Sequence, residues 1–197
     1  MQNNKLIIIG IGESGIGAAL LAKKMNYDFI VIADKIDDLK LKYLHDLGIP
    51  FSLQNESIDI ILQAKEVVKS PGISNENELI LLIKKNQIPI ISEIEFAYRH
   101  KGTSKIIAIT GSNGKSTTTS LIHFICTSAG INCSLVGNIG TSIAKQIAEE
   151  PTEWYVTEVS SFQLDDIVDF KPDIAILLNI TADHLDRYDY KMQHYIN

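Results

Sequence analysis

The stretch that decides the fold is IIAITGSNGKSTTTSLIHFI, residues 106–125. A hydrophobic run ends at Thr110, a turn with two glycines follows, and Lys115 opens a segment of helical composition. A strand, a glycine-bearing turn and a helix form a cradle for phosphate groups, because the first helix amides and the lysine both stabilise negative charge. Compared with the pattern G-x-x-x-x-G-K-[ST], the first glycine is replaced by Ile109. The stretch still predicts a P-loop, with Lys115 on the β- and γ-phosphates and Ser116 on magnesium.

Apolar runs of strand length alternate with segments of helical period along the whole chain. This alternation predicts an α/β fold with parallel sheets and crossover helices. A polar connection at 100–104 places a domain boundary between a Rossmann-like α/β unit over 1–100 and a P-loop NTPase-like α/β unit over 101–197. The predicted strands are 5–9, 29–33, 66–69, 89–91, 105–110, 133–136, 154–158 and 173–178, and the predicted helices are about 15–25, 38–47, 76–86, 93–98, 115–129 and 141–149.

A second glycine motif, GIGESG at residues 10–15, directly follows the first predicted strand. It satisfies G-x-G-x-x-G, and Asp34 closes the next strand. Taken alone, the pair predicts a nicotinamide dinucleotide, with the diphosphate at a helix N-terminus and Asp34 on a ribose. A purely structural glycine turn is the alternative, in which Ser14 would serve as the helix N-cap.

Charged residues and a histidine lie at or after the ends of two further strands of the second unit. Glu158 ends the strand at 154–158, and Asp183, His184, Asp186 and Arg187 come after the strand at 173–178. Open α/β sheets collect ligands at the carboxyl ends of their strands, so Glu158 is a candidate magnesium ligand and His184 a candidate catalytic residue beside the P-loop. The alternatives are that Glu158 caps a helix or is solvated, and that His184 has a structural role.

Composition excludes several other classes of protein. Of the 197 residues, 45% are hydrophobic and 21% charged, and the net charge is −6 without a basic run, which argues against nonspecific nucleic-acid binding. The apolar runs are too short to span a bilayer, and the first residues, MQNNK, do not look like a secretory signal. We therefore expect a cytoplasmic protein without membrane partners. Cys126 and Cys133 are expected to be reduced core residues.

Four segments together identify a family: ITGSNGKSTTT, GNIGTS, TEVSSFQLDDI and LNITADHLDRY, in this order. They closely resemble the bacterial Mur ligases, and GNIG, SSFQL and DHLDRY point to the member that adds D-glutamate. KSPGIS, residues 69–74, is similar to the first domain of that member. The resemblance implies an ATP- and Mg²⁺-dependent ligase that joins D-glutamate to UDP-N-acetylmuramoyl-L-alanine through an acyl phosphate. It also implies that the first glycine loop holds the UDP part of the substrate.

The resemblance assigns the following site residues. The catalytic residues would be Lys115, Glu158 and His184, and the magnesium ligands Ser116, Glu158 and His184. ATP would contact Gly111, Ser112, Asn113, Gly114, Lys115, Ser116 and Thr117. The substrate would contact Gly12, Ser14, Gly15, Asp34, Ser70, Pro71, Gly72, Asn138, Ser160 and Gln163.

Family members are more than twice this length, with a third domain that receives the amino acid. The resemblance therefore implies that residues 101–197 form only the N-terminal part of the ATP-binding central domain, a truncated P-loop NTPase-like α/β domain. We therefore expect a monomeric N-terminal fragment that lacks ligase activity alone and exposes apolar surface beside residues 174–178. Two alternatives remain: a nicotinamide-dependent oxidoreductase and a non-catalytic nucleotide-binding module. The oxidoreductase hypothesis gives no role to Lys115, Glu158 and His184.

Overall fold

The computed structural model describes residues 4–196 and contains two parallel sheets covered by helices. This confirms the predicted α/β class. The strands are β1 Leu6–Ile9, β2 Phe29–Ala33, β3 Phe51–Leu53, β4 Glu66–Lys69, β5 Ile90–Ser92, β6 Lys105–Thr110, β7 Cys133–Gly137, β8 Trp154–Glu158 and β9 Ile174–Leu177. The α-helices are α1 Glu13–Lys24, α2 Asp38–Asp46, α3 Ile58–Leu62, α4 Glu78–Lys85, α5 Glu93–His100, α6 Lys115–Ser128, α7 Ile143–Glu149, α8 Ser161–Leu164 and α9 Met192–Ile196. Short 3₁₀ turns occur at Gln54–Glu56 and Leu185–Arg187.

The first sheet has five strands in the order β3-β2-β1-β4-β5, and every pair in it is parallel. The strand order reverses between β1 and β4, so the loops after these two strands open on either side of one crevice. GIGESG follows β1, and KSPGIS begins at the last residue of β4. Topology therefore brings the two motifs to the same edge of the sheet.

The second sheet has four strands in the order β7-β8-β6-β9, again all parallel. The phosphate-loop stretch leaves β6 between its neighbours β8 and β9. Glu158 is the last residue of β8 and pairs in register with Ile109 of β6 and Gly137 of β7. The carboxyl ends of the three strands consequently meet at the loop that precedes α6.

Alternate strand residues enter different cores, as expected for strands covered on both faces. In β1, Leu6 and Ile8 belong to one cluster, whereas Ile7 and Ile9 belong to another. In β6, Ile106 and Ala108 belong to the same cluster as Leu6 and Ile8. The inner faces of the two sheets thus share one continuous core.

Helices α1, α5 and α7 form the contact between the two sheet units. α7 belongs to the second unit and packs on both α1 and α5 of the first. Gly17 of α1 permits the close approach, since a Cβ there would lie 1.9 Å from Ser142 Oγ, the N-cap of α7. The connection after α5 separates the sheets but does not divide the core.

The structure corrects several sequence-based expectations. The N-cap of α1 is Gly12, and the helix begins at Glu13, so Ser14 lies within the first turn and is not the cap. The predicted elements omit β3, α3 and α8, which have three, five and four residues and are too short to show a period of their own. Smaller differences of one or two residues occur at the ends of most other elements.

β9 is an edge strand of the described sheet and exposes apolar side chains. Ile174 is 46% exposed and Leu177 60%. Along residues 4–196, no helix has both the length and the apolar character that crossing a bilayer requires.

Candidate active site and substrate cleft

The loop between β6 and α6 has the backbone expected of a phosphate cradle. Gly111 and Gly114 have φ values of +137° and +86°, a region that favours glycine, and Gly114 is the N-cap of α6. The first amides of α6 have no partner within the helix and point towards the loop opening. Ser116 and Thr117 follow in the exposed first turn.

The side chains of the loop are tied to the segment after β9. The Ser112 hydroxyl is buried and donates to the Thr181 carbonyl over 2.8 Å, while its amide donates to the Asn179 carbonyl. The Asn113 amide donates to Asn179 Oδ1 over 2.9 Å. Tyr195 of α9 shares a 2.9 Å hydrogen bond with Ser112 Oγ. These contacts leave the amides from residue 114 onwards as the anion-facing part of the loop.

Lys115 folds back over the loop. Its Nζ donates to the carbonyl oxygens of Gly111, over 2.6 Å, and Ser112, over 3.0 Å. The ammonium therefore lies above the turn, where phosphate oxygens can replace the two carbonyls. A lysine in this position acts as a point charge on transferring phosphate groups.

Glu158 is buried at the end of β8 with one carboxylate oxygen unused. Oε1 accepts a 2.7 Å hydrogen bond from Asn138 Nδ2, whereas Oε2 is buried and has no hydrogen-bond partner among the described residues. A buried carboxylate oxygen without a donor is costly unless a cation or water completes it. Glu158 therefore fits a magnesium ligand, or the acceptor for a magnesium-bound water.

His184 lines a cleft of about 390 Å³ together with Lys115 and Asn138. Its ring contacts Phe162 at a centroid distance of 5.0 Å, and its backbone is left-handed with φ +48°. Across residues 4–196, no three His, Cys, Asp or Glu side chains gather closely enough to hold a metal on their own. Magnesium usually takes only one or two carboxylates and completes its shell with phosphates and water, so Glu158 beside a bound nucleotide is a sufficient donor set.

Ser160 and Gln163 differ in how they meet this cleft. Ser160 lines it, whereas Gln163 is 3% exposed and is not among the described lining residues. The Ser160 amide donates to Gln163 Oε1 over 3.0 Å, which caps the short helix α8. Contact between Gln163 and the substrate stays a prediction.

The first glycine turn and the KSPGIS turn lie against each other at the switch point of the first sheet. Ser70 Oγ is so close to the turn that a Cβ on Gly10 would lie 2.5 Å from it, and one on Gly15 3.2 Å. A Cβ on Gly12 or Gly72, in contrast, would meet nothing within 4 Å. The two turns therefore present open backbone to one side, which suits a diphosphate.

Asp34 is exposed at the end of β2 and lines a cleft of about 200 Å³. Gly10, Ile11, Gln54 and Ile73 line the same cleft. Asp34 is consequently near the first glycine turn but does not contact the P-loop cleft, whose described lining comes from the second unit.

Two carboxylates of α5 join the two units. Glu93 Oε1 accepts hydrogen bonds from Ser142 Oγ over 2.9 Å and from the Ala144 amide over 2.7 Å. Burial raises the pKa of Glu93 from 4.5 to about 7, although these donors oppose the shift. Burial also acts to raise the pKa of Glu95, but the amides of residues 168–170 and the Arg99 guanidinium outweigh it and lower that pKa.

Two family models match the chain. Residues 4–92 match the MurD-like N-terminal domain of Mur ligases, and residues 109–197 match the Mur ligase middle domain. The chain belongs to the Mur ligase family. This confirms the resemblance inferred from the motifs.

Curated Mur ligases are similar over nearly the whole chain. A UDP-N-acetylmuramoylalanine–D-glutamate ligase of Bacteroides fragilis is 53% identical over 194 residues, and one of Cytophaga hutchinsonii is 51% identical over 196. Each alignment covers 98% of this chain and 44% of the relative, so the chain spans less than half the length of these Mur ligases.

Solved Mur ligases share the fold. The UDP-N-acetylmuramate:L-alanyl-γ-D-glutamyl-meso-diaminopimelate ligase of Neisseria meningitides aligns with a TM-score of 0.61 and 20% identity, covering 98% of this chain and 66% of that one. The UDP-N-acetylmuramate–alanine ligase of Thermotoga maritima aligns with a TM-score of 0.59 and 21% identity, covering 98% of this chain and 45% of that one.

Sequence reasoning did not identify several residues that line the P-loop cleft or join the two units. Phe162, Tyr195 and Ile196 line the P-loop cleft, and Glu93 joins the two units. Phe162 lies within the quoted SSFQL motif, but no pattern distinguishes its side chain from a core residue. Tyr195 gives no signal, because its contact with Ser112 spans 83 positions of the sequence.

Proposed function

We propose that this chain provides the UDP-substrate and ATP sites of a ligase that adds D-glutamate to UDP-N-acetylmuramoyl-L-alanine. The observation that carries the proposal is the P-loop cleft. Lys115, Asn138 and His184 line it, and Asn138 donates to Oε1 of Glu158, whose buried Oε2 has no hydrogen-bond partner among the described residues. Relatives at 51% and 53% identity bear the name of this activity. The site residues assigned by resemblance are part of the proposal.

The reaction would proceed in two steps. The terminal carboxylate of the substrate attacks the γ-phosphate of ATP, which gives an acyl phosphate and ADP. The amine of D-glutamate then attacks the acyl carbon, and phosphate leaves. We assign the D-glutamate site to the part of the relatives that these residues do not match, and expect no ligase activity from residues 1–197 alone.

The chain's own residues would overcome the repulsion between anionic reactants. Lys115 exchanges its two carbonyl partners for phosphate oxygens, and the amides at the start of α6 hold the same phosphates. Glu158, with Ser116 and His184 as the other assigned ligands, would hold magnesium. Bound magnesium would neutralise charge on the phosphate oxygens and polarise the transferring group. Asn138 orients Glu158 through its 2.7 Å hydrogen bond.

In the first unit, the substrate diphosphate would lie on the backbone of Gly12, Gly15 and Gly72. Asp34, exposed at the edge of a neighbouring cleft, would accept from the uracil. Ser14, Ser70 and Pro71 complete the proposed substrate contacts. We further propose that the protein is cytoplasmic and monomeric and uses no nucleic-acid partner.

Calorimetric titration of the chain tests the proposal. We expect saturable binding of UDP-N-acetylmuramoyl-L-alanine and of ATP with Mg²⁺, and none of NADH. Lys115→Ala should weaken ATP binding and leave the UDP-substrate affinity unchanged, because its loop belongs to the second unit. Micromolar NADH binding without any response to the UDP-substrate would instead favour the oxidoreductase.

A further inference from the structure

Arg187 bridges the two sheet units at the proposed substrate site. It ends the 3₁₀ turn that follows His184, and its guanidinium donates to two successive carbonyl oxygens of the KSPGIS turn. Nη1 lies 3.1 Å from the Pro71 oxygen and Nη2 2.9 Å from the Gly72 oxygen. The guanidinium carbon also lies 4.3 Å from the centroid of the Phe162 ring. Arg187 is thus fixed on both sides, and its rigid fork matches the two carbonyls.

The second unit also holds the start of the same turn. Lys69 is buried, and its Nζ lies 2.7 Å from Asp166 Oδ2 and 2.9 Å from Asn75 Oδ1. The Asp166 carbonyl in turn accepts a 2.8 Å hydrogen bond from the Ser92 amide. The turn from residue 69 to 73 is therefore held at its start by Asp166 and at its middle by Arg187, both from the second unit.

The carbonyl contacts fix the direction of a neighbouring amide. In a trans peptide the C=O of one residue and the N–H of the next point in opposite directions. The Pro71 carbonyl points to Arg187, so the Gly72 N–H points away from it. A Cβ on Gly72 would meet nothing within 4 Å, so this backbone is open to a ligand.

We propose that Arg187 is a positioning residue for the UDP-substrate: it fixes the KSPGIS turn so that the Gly72 amide is set to receive the diphosphate. This inference rests on the proposed function. It means that a residue beside the P-loop cleft controls affinity at the uridine-binding unit. Coupling of this kind between two sites typically changes affinity by about 0.5–2 kcal/mol, or roughly two- to thirty-fold.

The test compares Arg187→Ala and Arg187→Lys in the chain, with Lys191→Ala as the control. Lys191 is exposed in the same segment and its loss removes the same charge. We expect Arg187→Ala to bind UDP and UDP-N-acetylmuramoyl-L-alanine about two- to thirty-fold more weakly, with UMP and ATP–Mg²⁺ affinities unchanged. The UDP affinity of Arg187→Lys should lie between those of the unsubstituted chain and Arg187→Ala, because an ammonium lacks the planar fork of the guanidinium. Lys191→Ala should match the unsubstituted chain.

Hydrogen exchange supplies a readout that does not depend on ligand. The Ile73 amide donates to the Ser70 carbonyl within the turn, and its exchange should become faster in Arg187→Ala but not in Lys191→Ala. Unchanged UDP affinity together with unchanged exchange of the Ile73 amide would overturn this inference but not the proposed function. Equal losses of affinity for UDP and for UMP would also overturn this inference only. If Arg187→Ala does not fold, Arg187→Lys carries the same comparisons. Failure of the unsubstituted chain to bind any UDP ligand would overturn the proposed function as well.

Discussion

Glu93 should make the stability of this chain depend on pH in the neutral range. Its carboxylate is buried between α5 and α7, close to Glu13, and no described residue donates to its Oε2. Burial raises its pKa from 4.5 to about 7, so the folded state keeps a proton that the unfolded state releases. The stabilisation is complete below pH 4.5 and is lost as the pH rises through 7. At about 1.4 kcal/mol per pH unit, the loss amounts to roughly 3 kcal/mol.

Urea unfolding of the chain at pH 5 and pH 8 measures this loss. Glu93→Gln keeps an oxygen that can accept from Ser142 and Ala144 but cannot ionise. We expect the unfolding free energy of the unsubstituted chain to fall between the two pH values by about 2.5 kcal/mol more than that of Glu93→Gln, slightly less than the full loss because pH 5 lies above 4.5. Glu149→Gln, at the exposed end of α7, is the control and should behave like the unsubstituted chain. If the unsubstituted chain and Glu93→Gln lose stability in parallel, the proton is not on Glu93.

Three further substitutions separate the two sites and the contact between the units. In the complete ligase, Lys115→Ala should lower the rate of ADP formation on the order of 10²–10³-fold with UDP-substrate affinity intact; near-normal turnover would refute its role at the phosphates. Asp34→Ala should weaken UDP-substrate binding by about ten- to hundred-fold in calorimetry without affecting ATP, and an effect on maximal rate alone would contradict that assignment. Gly17→Ala should destabilise the chain by about 1–3 kcal/mol in urea, because its Cβ would lie 1.9 Å from Ser142 Oγ. Gly12→Ala, with open space around it, should cost less, because it only puts a poorer N-cap residue on α1; equal effects would argue against tight packing of α1 on α7.

The sequence predicted the parts of the fold that depend on local pattern. Apolar strands followed by glycine turns, such as the one leading to Gly111, carry their own signal, because the turn requires glycine and the sheet requires an apolar run. β3 was missed because three residues at a sheet edge are positioned by β2 and have no period of their own. Most of the helices and strands therefore followed from sequence, with errors of one or two residues at their ends.

The candidate site was predicted less completely, for a related reason. Lys115 and Glu158 occupy positions that a motif and a strand end specify. The roles of Arg187 and Glu93 come from partners more than forty positions away along the chain, at Pro71 and Ala144 respectively. A glutamate in the first turn of a helix is usually exposed to solvent. Glu93 occupies such a position in α5 but is buried, and only the tertiary structure shows this.

The core shared by α1, α5 and α7 limits how this chain can be cut or recombined. A break at residues 101–104 would separate the sheets cleanly in sequence, yet it would leave α1 and α5 without α7, on which both pack. A chimera that exchanges only the first sheet between two relatives would pair an α1 from one with an α7 from the other. Where a relative has a larger residue than Gly17, such a hybrid would not close. An exchange that keeps this contact intact must therefore include the first sheet together with α7, although α7 belongs to the second unit.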